Sequence, residues 1–113
     1  MIYDTSLSKK LEKDRLEKLE GERKSQLAIV RQKLGVFFKG LHVKEAYLFG
    51  SILQPGNFRS DSDMDIAVGG LNPKNYFQVF GQIENLLGRE IDLVELEKCR
   101  FADSIEKYGE RIL

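Results

Sequence analysis

Hydrophobic positions in the first third of the chain recur with the period of an α-helix. From Ser6 to about Lys39 there is no proline, and helix-favouring residues dominate. The apolar stripe is thin among charges over residues 1–24 and stronger from Ser25 to Phe38, which indicates a core-facing helix. We therefore expect a helical arm over 1–24, covered only in part, and a folded core over 25–113. A solvated, partly frayed extension is the equal alternative, with Gly21 as the weak point.

After the first helix the apolar residues fall in three short runs. The runs cover residues 43–49, 64–68 and 90–96, and each has the length and side-chain content of a β-strand. Strands that alternate with helices favour an α/β or α+β domain, here with a sheet of three to four strands backed by helices. The helical extension precedes this sheet.

Two further helices are expected between and after the strands. Asn72-Pro73 opens the first of them, and Gly88 ends it. Its apolar residues recur at helical spacing: Tyr76, Phe77, Phe80, Ile83, Leu86 and Leu87. The aromatic members of this set are expected in the core. The second helix, over about residues 101–108, is expected to bury Phe101, Ala102 and Ile105.

The composition narrows the class of protein. A chain of 113 residues suits one domain with one core, and 18 basic residues balance 18 acidic ones. This balance argues against nucleic-acid binding. Cys99 is the only cysteine, so an internal disulfide is excluded. No apolar run is long enough for a membrane span and no secretory leader is recognised, so a cytoplasmic protein is expected.

The zero net charge hides an asymmetry between the two parts of the chain. Residues 1–40 carry 10 basic and 6 acidic side chains, whereas residues 41–113 carry 8 basic and 12 acidic ones. Carboxylates in excess are typical of a site that binds a cation. We therefore look for chemistry in the acidic part.

Three carboxylates and one glycine-serine turn stand at the ends of the predicted strands. Asp63 and Asp65, two positions apart, point to the same face of an extended strand and repel each other unless a cation lies between them. Asp92 interrupts an apolar strand, where an unpaired buried charge costs several kcal/mol. Together they predict an oxygen-only site for one or two Mg²⁺ ions. Gly50 and Ser51 offer a tight turn, backbone N–H groups and a hydroxyl, which suit a phosphate.

Simpler interpretations stay open for each of these residues. The run from Asp61 to Asp65 is also typical of a solvated turn, and its alternation allows Asp61 to be a member of the pair. Asp92 alone is as well explained by an ion pair with Arg89 or Arg100. Only the joint occurrence of the motifs, in order and at strand ends, favours a site.

The spaced combination of Phe49-Gly50-Ser51, Ser62-Asp63-Met64-Asp65 and Ile91-Asp92-Leu93 resembles the active-site signature of the minimal nucleotidyltransferases of the DNA polymerase beta-like superfamily. The resemblance covers about half of the chain and implies a mixed sheet and a catalytic core over 25–113. It also implies that Asp63, Asp65 and Asp92 bind two Mg²⁺ ions. Asp92 would help to activate the acceptor hydroxyl.

By the same resemblance, Gly50 and Ser51 hold ATP, and the reaction releases pyrophosphate. The segment from Ile52 to Ser62 is one residue longer than is usual in the family, and the usual arginine after Gly-Ser is missing. Arg59 is a candidate to approach the phosphates in its place. This departure leaves the metal ligands intact and bears on nucleotide affinity.

The resemblance further implies a partner protein. Minimal nucleotidyltransferases of this kind pair with HEPN-domain toxins, and transfer of AMP from ATP to a tyrosine silences the HEPN ribonuclease. We therefore expect an antitoxin, alone as a homo-oligomer or in a hetero-oligomer with its toxin, with no membrane or nucleic-acid partner. The alternatives are an antitoxin that acts by occlusion alone, and a nucleotidyltransferase for a small molecule such as an antibiotic.

Overall fold

One long helix forms the N-terminal third of the molecule. The computed structural model describes residues 5–59 and 61–113. Helix α1 runs from Thr5 to Lys39 without a break at Gly21, so the predicted helical region is confirmed. The division into arm and core stays a prediction, and residues 1–4 of the arm lie outside the described part of the chain.

The two halves of α1 differ in their contacts. Four apolar side chains of the second half are buried in the core: Leu27, Val30, Leu34 and Phe38. Three of the first half are between 48% and 60% exposed: Leu7, Leu11 and Leu16. The molecule is accordingly elongated, since its radius of gyration is 17.4 Å against about 13 Å for a compact chain of this length. The first half of α1 therefore extends beyond the core.

In the described part of the chain, four strands form one mixed sheet. They are β1 (Glu45–Phe49), β2 (Met64–Gly69), β3 (Ile91–Glu95) and β4 (Glu110–Arg111). The order is β3-β2-β1-β4; β1 is antiparallel to both of its neighbours, and β2 is parallel to β3. The predicted α+β fold with a mixed sheet and an N-terminal helical extension is confirmed.

Two shorter helices complete the fold. Helix α2 (Tyr76–Leu87) follows a 3-10 turn in which the Asn72 side chain accepts a hydrogen bond from the backbone of Lys74 at 3.1 Å. It ends at Gly88, whose φ of 65° is in the left-handed region that glycine adopts easily. Helix α3 spans Ala102–Tyr108. Both helices lie where the sequence predicts them.

The sheet separates a large core from a small one. The large core joins α1 and α2 to one face of the sheet through residues such as Leu34, Ile83 and Ile66. The small core is on the other face and consists of Tyr47, Ala67, Leu96 and Ile105. Because Ala67 and Asp65 are two positions apart on β2, Asp65 projects from the face that carries the small core.

Two aromatic side chains expected in the core are exposed instead. Phe77 is 84% exposed because it is one position away from the buried stripe of α2, about 100° around the helix. Phe101 is 55% exposed because it caps α3 instead of lying within it; only Ile105 of that helix is buried. Ala102 is partly buried.

Candidate active site

Two of the predicted site carboxylates lie side by side on neighbouring strands. Asp65 is the second residue of β2 and Asp92 the second residue of β3, and the parallel register pairs them directly. Asp63 stands two residues before Asp65, just ahead of β2. The fold thus brings all three candidate ligands to one end of the sheet.

The three carboxylates affect each other's ionisation. Burial, followed by the negative charges of Asp92 and Asp63, raises the pKa of Asp65 from 3.8 to about 6. A carboxylate whose neighbours repel its charge is stabilised by a cation. The electrostatics of the site therefore favour the binding of a positive ion at Asp65.

Gly50 closes the site on the side of β1. Phe49, the last residue of β1, is the register partner of Asp65, so the chain leaves β1 beside that carboxylate. Gly50 has a φ of +78°, and a Cβ atom built on it would collide with Oδ2 of Asp65 and lie 3.0 Å from its Cγ. Only glycine fits this position, on grounds of both backbone conformation and space.

Ser51 continues the turn that Gly50 begins. Residues Gly50–Leu53 form a 3-10 turn, in which the Ser51 carbonyl accepts a hydrogen bond from the Gln54 N–H at 3.0 Å. Ser51 is partly exposed. Its hydroxyl is thus near the end of β1 at which the three carboxylates meet.

Asp92 is exposed and forms no ion pair with any residue in the ranges 5–59 and 61–113. The alternative pairing of Asp92 with Arg89 or Arg100 is therefore not seen there.

A tyrosine of α2 lies beside Asp92. The Tyr76 hydroxyl donates a hydrogen bond to the Leu93 carbonyl at 2.6 Å. Burial and the charges of Asp92 and Glu95 raise the pKa of this tyrosine. Sequence reasoning placed Tyr76 in the core and missed its contact beside Asp92.

The segment between the 3-10 turn and β2 is held by an aromatic and an arginine. Phe58 is buried, and the Arg89 guanidinium lies 4.7 Å from the centre of its ring. Arg89 also donates a hydrogen bond to the Ser62 carbonyl. Residue 60 lies outside the described residues.

Arg59 lies on the α1 side of this segment. Its side chain lines two adjoining cavities of about 640 and 880 Å³ between α1 and residues 55–61. None of the contacts described for it involves the three carboxylates. The predicted role of Arg59 in nucleotide binding thus stays a prediction. Asp61, the alternative ligand, is exposed and lines the larger of the same cavities.

Sequence reasoning also missed a buried arginine on α1. Arg23 is 8% exposed, and its Nη1 donates a hydrogen bond to the Ile52 carbonyl at 2.8 Å. Its guanidinium also pairs with Glu20. The signal was present, because Arg23 is one turn before Leu27 on the apolar face of the helix.

The donors at this end of the sheet suit a hard cation in chemistry and charge. Carboxylate oxygens from two paired strands are the ligands that Mg²⁺ prefers. In the described ranges no three His, Cys, Asp or Glu side chains are already arranged around a metal-sized space. Asp63 and Asp92 are exposed, so both side chains are able to reorient toward Asp65. The residues therefore fit the ion, without forming a closed cage for it.

Comparison with protein families decides the class. The model of the family described as "Polymerase beta, Nucleotidyltransferase" matches residues 32–113. The chain belongs to this family. The match includes the whole sheet and all six predicted site residues of the nucleotidyltransferase, whereas most of α1 precedes it. No curated protein matches the chain.

Solved structures of toxin–antitoxin complexes share the fold. One chain, from a toxin–antitoxin complex with AMP-PNP, has a sequence identity of 23% and a TM-score of 0.62; the alignment covers 74% of this chain and 72% of that chain. A chain of a mutant MntA-HpeT complex has an identity of 21% and a TM-score of 0.61, with the same coverage of both chains. A chain of a MntA-HepT complex has an identity of 19% and a TM-score of 0.58, and the alignment covers 76% of this chain and 71% of that chain.

In the described part of the nucleotidyltransferase, no helix combines the length and apolar character of a membrane span.

The raised pKa of Asp65 predicts an unusual pH dependence of stability. In the folded protein Asp65 binds a proton up to about pH 6, whereas in the unfolded chain its pKa is near 3.8. Its contribution to the free energy of unfolding is therefore complete below about pH 4 and is lost as the pH rises through 6. We expect Asp65→Asn to stabilise the metal-free protein at pH 8 by about 1 to 2 kcal/mol, after allowance for solvent screening.

Thermal unfolding in a chelator measures this effect. The gain in melting temperature from Asp65→Asn should be larger at pH 8 than at pH 4.5. An equal gain at both values would contradict the electrostatic origin. Asp61→Asn serves as the matched control, since Asp61 is exposed and a surface change of this kind is expected to stay within about 0.5 kcal/mol.

Proposed function

We propose that this nucleotidyltransferase is the antitoxin of a toxin–antitoxin pair and transfers AMP from ATP to a tyrosine of a HEPN ribonuclease toxin, with Mg²⁺ as cofactor. The observation that carries the proposal is the direct pairing of Asp65 with Asp92, with Gly50 pressed against the Asp65 carboxylate. This arrangement places a turn that suits phosphates beside a cluster that suits a cation. A cytoplasmic location is part of the proposal.

The structural neighbours support the choice of partner and nucleotide. All three are toxin–antitoxin complexes, and one of them holds AMP-PNP. The mutant complex carries glutamate in place of two aspartates two positions apart, the spacing of Asp63 and Asp65. Identities of 19% to 23% show the shared fold. The reaction proposed for this chain rests on the site, and the toxin partner is proposed by analogy with these complexes.

The residues at the end of the sheet have distinct roles in the proposed reaction. Asp63, Asp65 and Asp92 would hold Mg²⁺, which supplies positive charge to the phosphate oxygens when bound. Gly50 lets the backbone approach the triphosphate closely, and the Ser51 hydroxyl donates to a phosphate oxygen. Asp92, exposed at the edge of the group, accepts the proton of the acceptor hydroxyl.

The proposed reaction balances as a single displacement. The tyrosine oxygen forms a bond to the α-phosphorus of ATP, and the bond from that phosphorus to the bridging oxygen of pyrophosphate breaks. The products are a tyrosine–AMP ester, pyrophosphate and one proton, which leaves through Asp92.

Mass spectrometry of the partner tests the proposed function. The protein is mixed with ATP, Mg²⁺ and the HEPN protein encoded next to it, and the mass of the toxin is measured before and after. We expect an increase by one or more AMP units on a tyrosine peptide, together with loss of ribonuclease activity. An unchanged toxin mass in the presence of stable complex formation would overturn the transfer reaction.

A binding-only antitoxin is the second candidate. It is favoured by the absence of a ready three-ligand cluster among residues 5–59 and 61–113. In that case the variant that combines Asp63→Asn with Asp65→Asn would still neutralise the toxin. If transfer is the mechanism, the same variant would bind the toxin and leave its ribonuclease active.

A further inference from the structure

The 3-10 turn that carries Gly50 and Ser51 is anchored to α1 by a buried arginine, which pairs with a partly exposed glutamate. Arg23 is one of the least exposed charged side chains described, at 8%, and its Nη1 donates to the Ile52 carbonyl inside that turn. The Arg23 Nε donates to both carboxylate oxygens of Glu20, at 3.0 and 3.1 Å. The helix thus holds the turn by a hydrogen bond from Arg23, and Glu20 fixes the position of the donating guanidinium.

Glu20 also faces the segment that follows the turn. The hydrogen bonds and charge of Arg23, and to a smaller degree the backbone N–H of Gly56, lower the pKa of this carboxyl. Glu20 and Gly56 line the same cavity. Arg23 therefore binds the chain before Pro55, and Glu20, one turn away on α1, faces the chain just after it.

This anchor lies outside the part of the chain that defines the family. The family match begins at residue 32, whereas Glu20 and Arg23 precede it. The segment they hold is the one that is a residue longer than usual and lacks the usual arginine. The middle of α1 thus contacts the Gly50–Leu53 turn, at the point where this chain departs from the family pattern.

We propose that Glu20 and Arg23 are positioning residues for nucleotide binding and keep the Gly50–Leu53 turn in the conformation that receives the triphosphate. The inference rests on the proposed function. Without the Arg23 guanidinium, the Ile52 carbonyl loses its buried donor, and the hydrogen bond that holds the turn against α1 is lost even if water replaces the donor. A shift of the turn displaces Ser51 and the backbone around Gly50 together, because both belong to the same four residues.

The chain offers a matched control on the same helix. Glu12 and Arg15 form an ion pair with the same i,i+3 spacing, with Nη2 to Oε1 at 2.6 Å, but both side chains are more than half exposed. Replacement of either pair removes the same charges from the same helix. Of these two pairs, only Glu20–Arg23 includes a residue that contacts the Gly50–Leu53 turn.

The test compares the affinity for a non-hydrolysable ATP analogue, with Mg²⁺ present, in four full-length proteins. We expect Arg23→Gln to weaken binding about tenfold, as is typical when a residue that orients a ligand-binding group is removed. Arg23→Lys keeps the positive charge and brings a donor closer to the Ile52 carbonyl than the shorter glutamine does, so it should recover part of this loss. Arg15→Gln and the wild type should bind equally.

A split of kinetic constants separates positioning from a merely structural role. With the toxin as acceptor, Arg23→Gln should raise the KM for ATP about tenfold and leave kcat within about twofold at saturating ATP, since the ion ligands are untouched. Measurements are made well below the melting temperature of each variant. A loss of folded protein would instead lower kcat in proportion and leave KM unchanged.

The outcomes distinguish the inference from the proposed function. If the wild type binds the analogue and Arg23→Gln binds it equally well, the positioning role is wrong and the proposed function stands. If the wild type itself does not bind the analogue, the nucleotide part of the proposed function is wrong. If Arg15→Gln weakens binding as much as Arg23→Gln, the effect comes from the helix charge and the positioning role is again wrong.

Discussion

Combining Asp63→Asn with Asp65→Asn is expected to reduce AMP transfer by at least about a thousandfold. In the proposed function the two carboxylates hold the ion that neutralises charge on the phosphates, a contribution of several kcal/mol, and each 1.4 kcal/mol is about a factor of ten in rate. The fold should persist, because asparagine has nearly the same shape. Without metal, the variant should even be slightly more stable, since the repulsion that raises the pKa of Asp65 is removed.

Asp61→Asn is the control that tests which of the alternating aspartates are needed for transfer. Asp61, Asp63 and Asp65 alternate along the chain, but the pKa of Asp65 is raised by burial and by the charges of Asp92 and Asp63, and not by that of Asp61. The Asp61 side chain instead lines a cavity beside α1. Rates are followed by release of pyrophosphate with the toxin as acceptor. A large loss for Asp61→Asn, with transfer intact in the double variant, would reassign the metal ligands.

Gly50→Ala is expected to damage both stability and transfer. A left-handed φ of +78° costs an alanine about 1 kcal/mol, and the collision of its Cβ with the Asp65 carboxylate adds about 1 to 3 kcal/mol. We therefore expect the free energy of unfolding to fall by about 2 to 4 kcal/mol. Displacement of the turn should also lower the transfer rate by about a hundredfold or more.

Gly88→Ala separates the backbone effect from the collision. Gly88 also has a positive φ, of 65°, but a Cβ built there would meet no atom within 4 Å. This variant should lose only about 1 kcal/mol and keep full transfer activity. Chemical denaturation gives the two stabilities on one scale. Equal losses for the two alanine variants would show that contact with Asp65 does not constrain the turn.

Local periodicity was sufficient to predict most of the architecture. The three strand runs and α2 depend on apolar spacing and on end signals such as Asn72 and Gly88, which act within a few residues. Strand β4 is different, because two residues, Glu110–Arg111, become a strand only through pairing with β1. A pairing between distant segments leaves no local pattern.

The exposure of single aromatic residues was harder to predict than the elements that carry them. Phe77 has the same hydrophobicity as Phe80, and only its angle around α2 places it at the surface. Phe101 was assigned to α3, but the helix begins one residue later. Shifts of one residue at a helix end are enough to turn a buried side chain outward.

At the candidate site, too, residues in local motifs could be predicted, whereas residues whose contacts form only in the folded chain could not. Asp63, Asp65, Asp92 and Gly50 were predicted as site residues because their chemistry conflicts with their surroundings, as charges beside apolar strands and a glycine at a strand end. Arg23 and Glu20 were missed because charged residues are typical of the exposed face of a polar helix and give no signal of a buried contact. The hydrogen-bond partner of Arg23, the Ile52 carbonyl, is a backbone atom that no motif identifies.

The length of α1 implies that one continuous helix has two levels of local stability. Amide hydrogens in its first turns are shielded only by helical hydrogen bonds, which open by fraying at little free-energy cost. Those near Leu34 and Phe38 are covered by the core and open only when the whole domain unfolds. The transition falls near Gly21 and Arg23, so the same pair that orients the turn also marks the limit to which fraying from the N-terminus can spread.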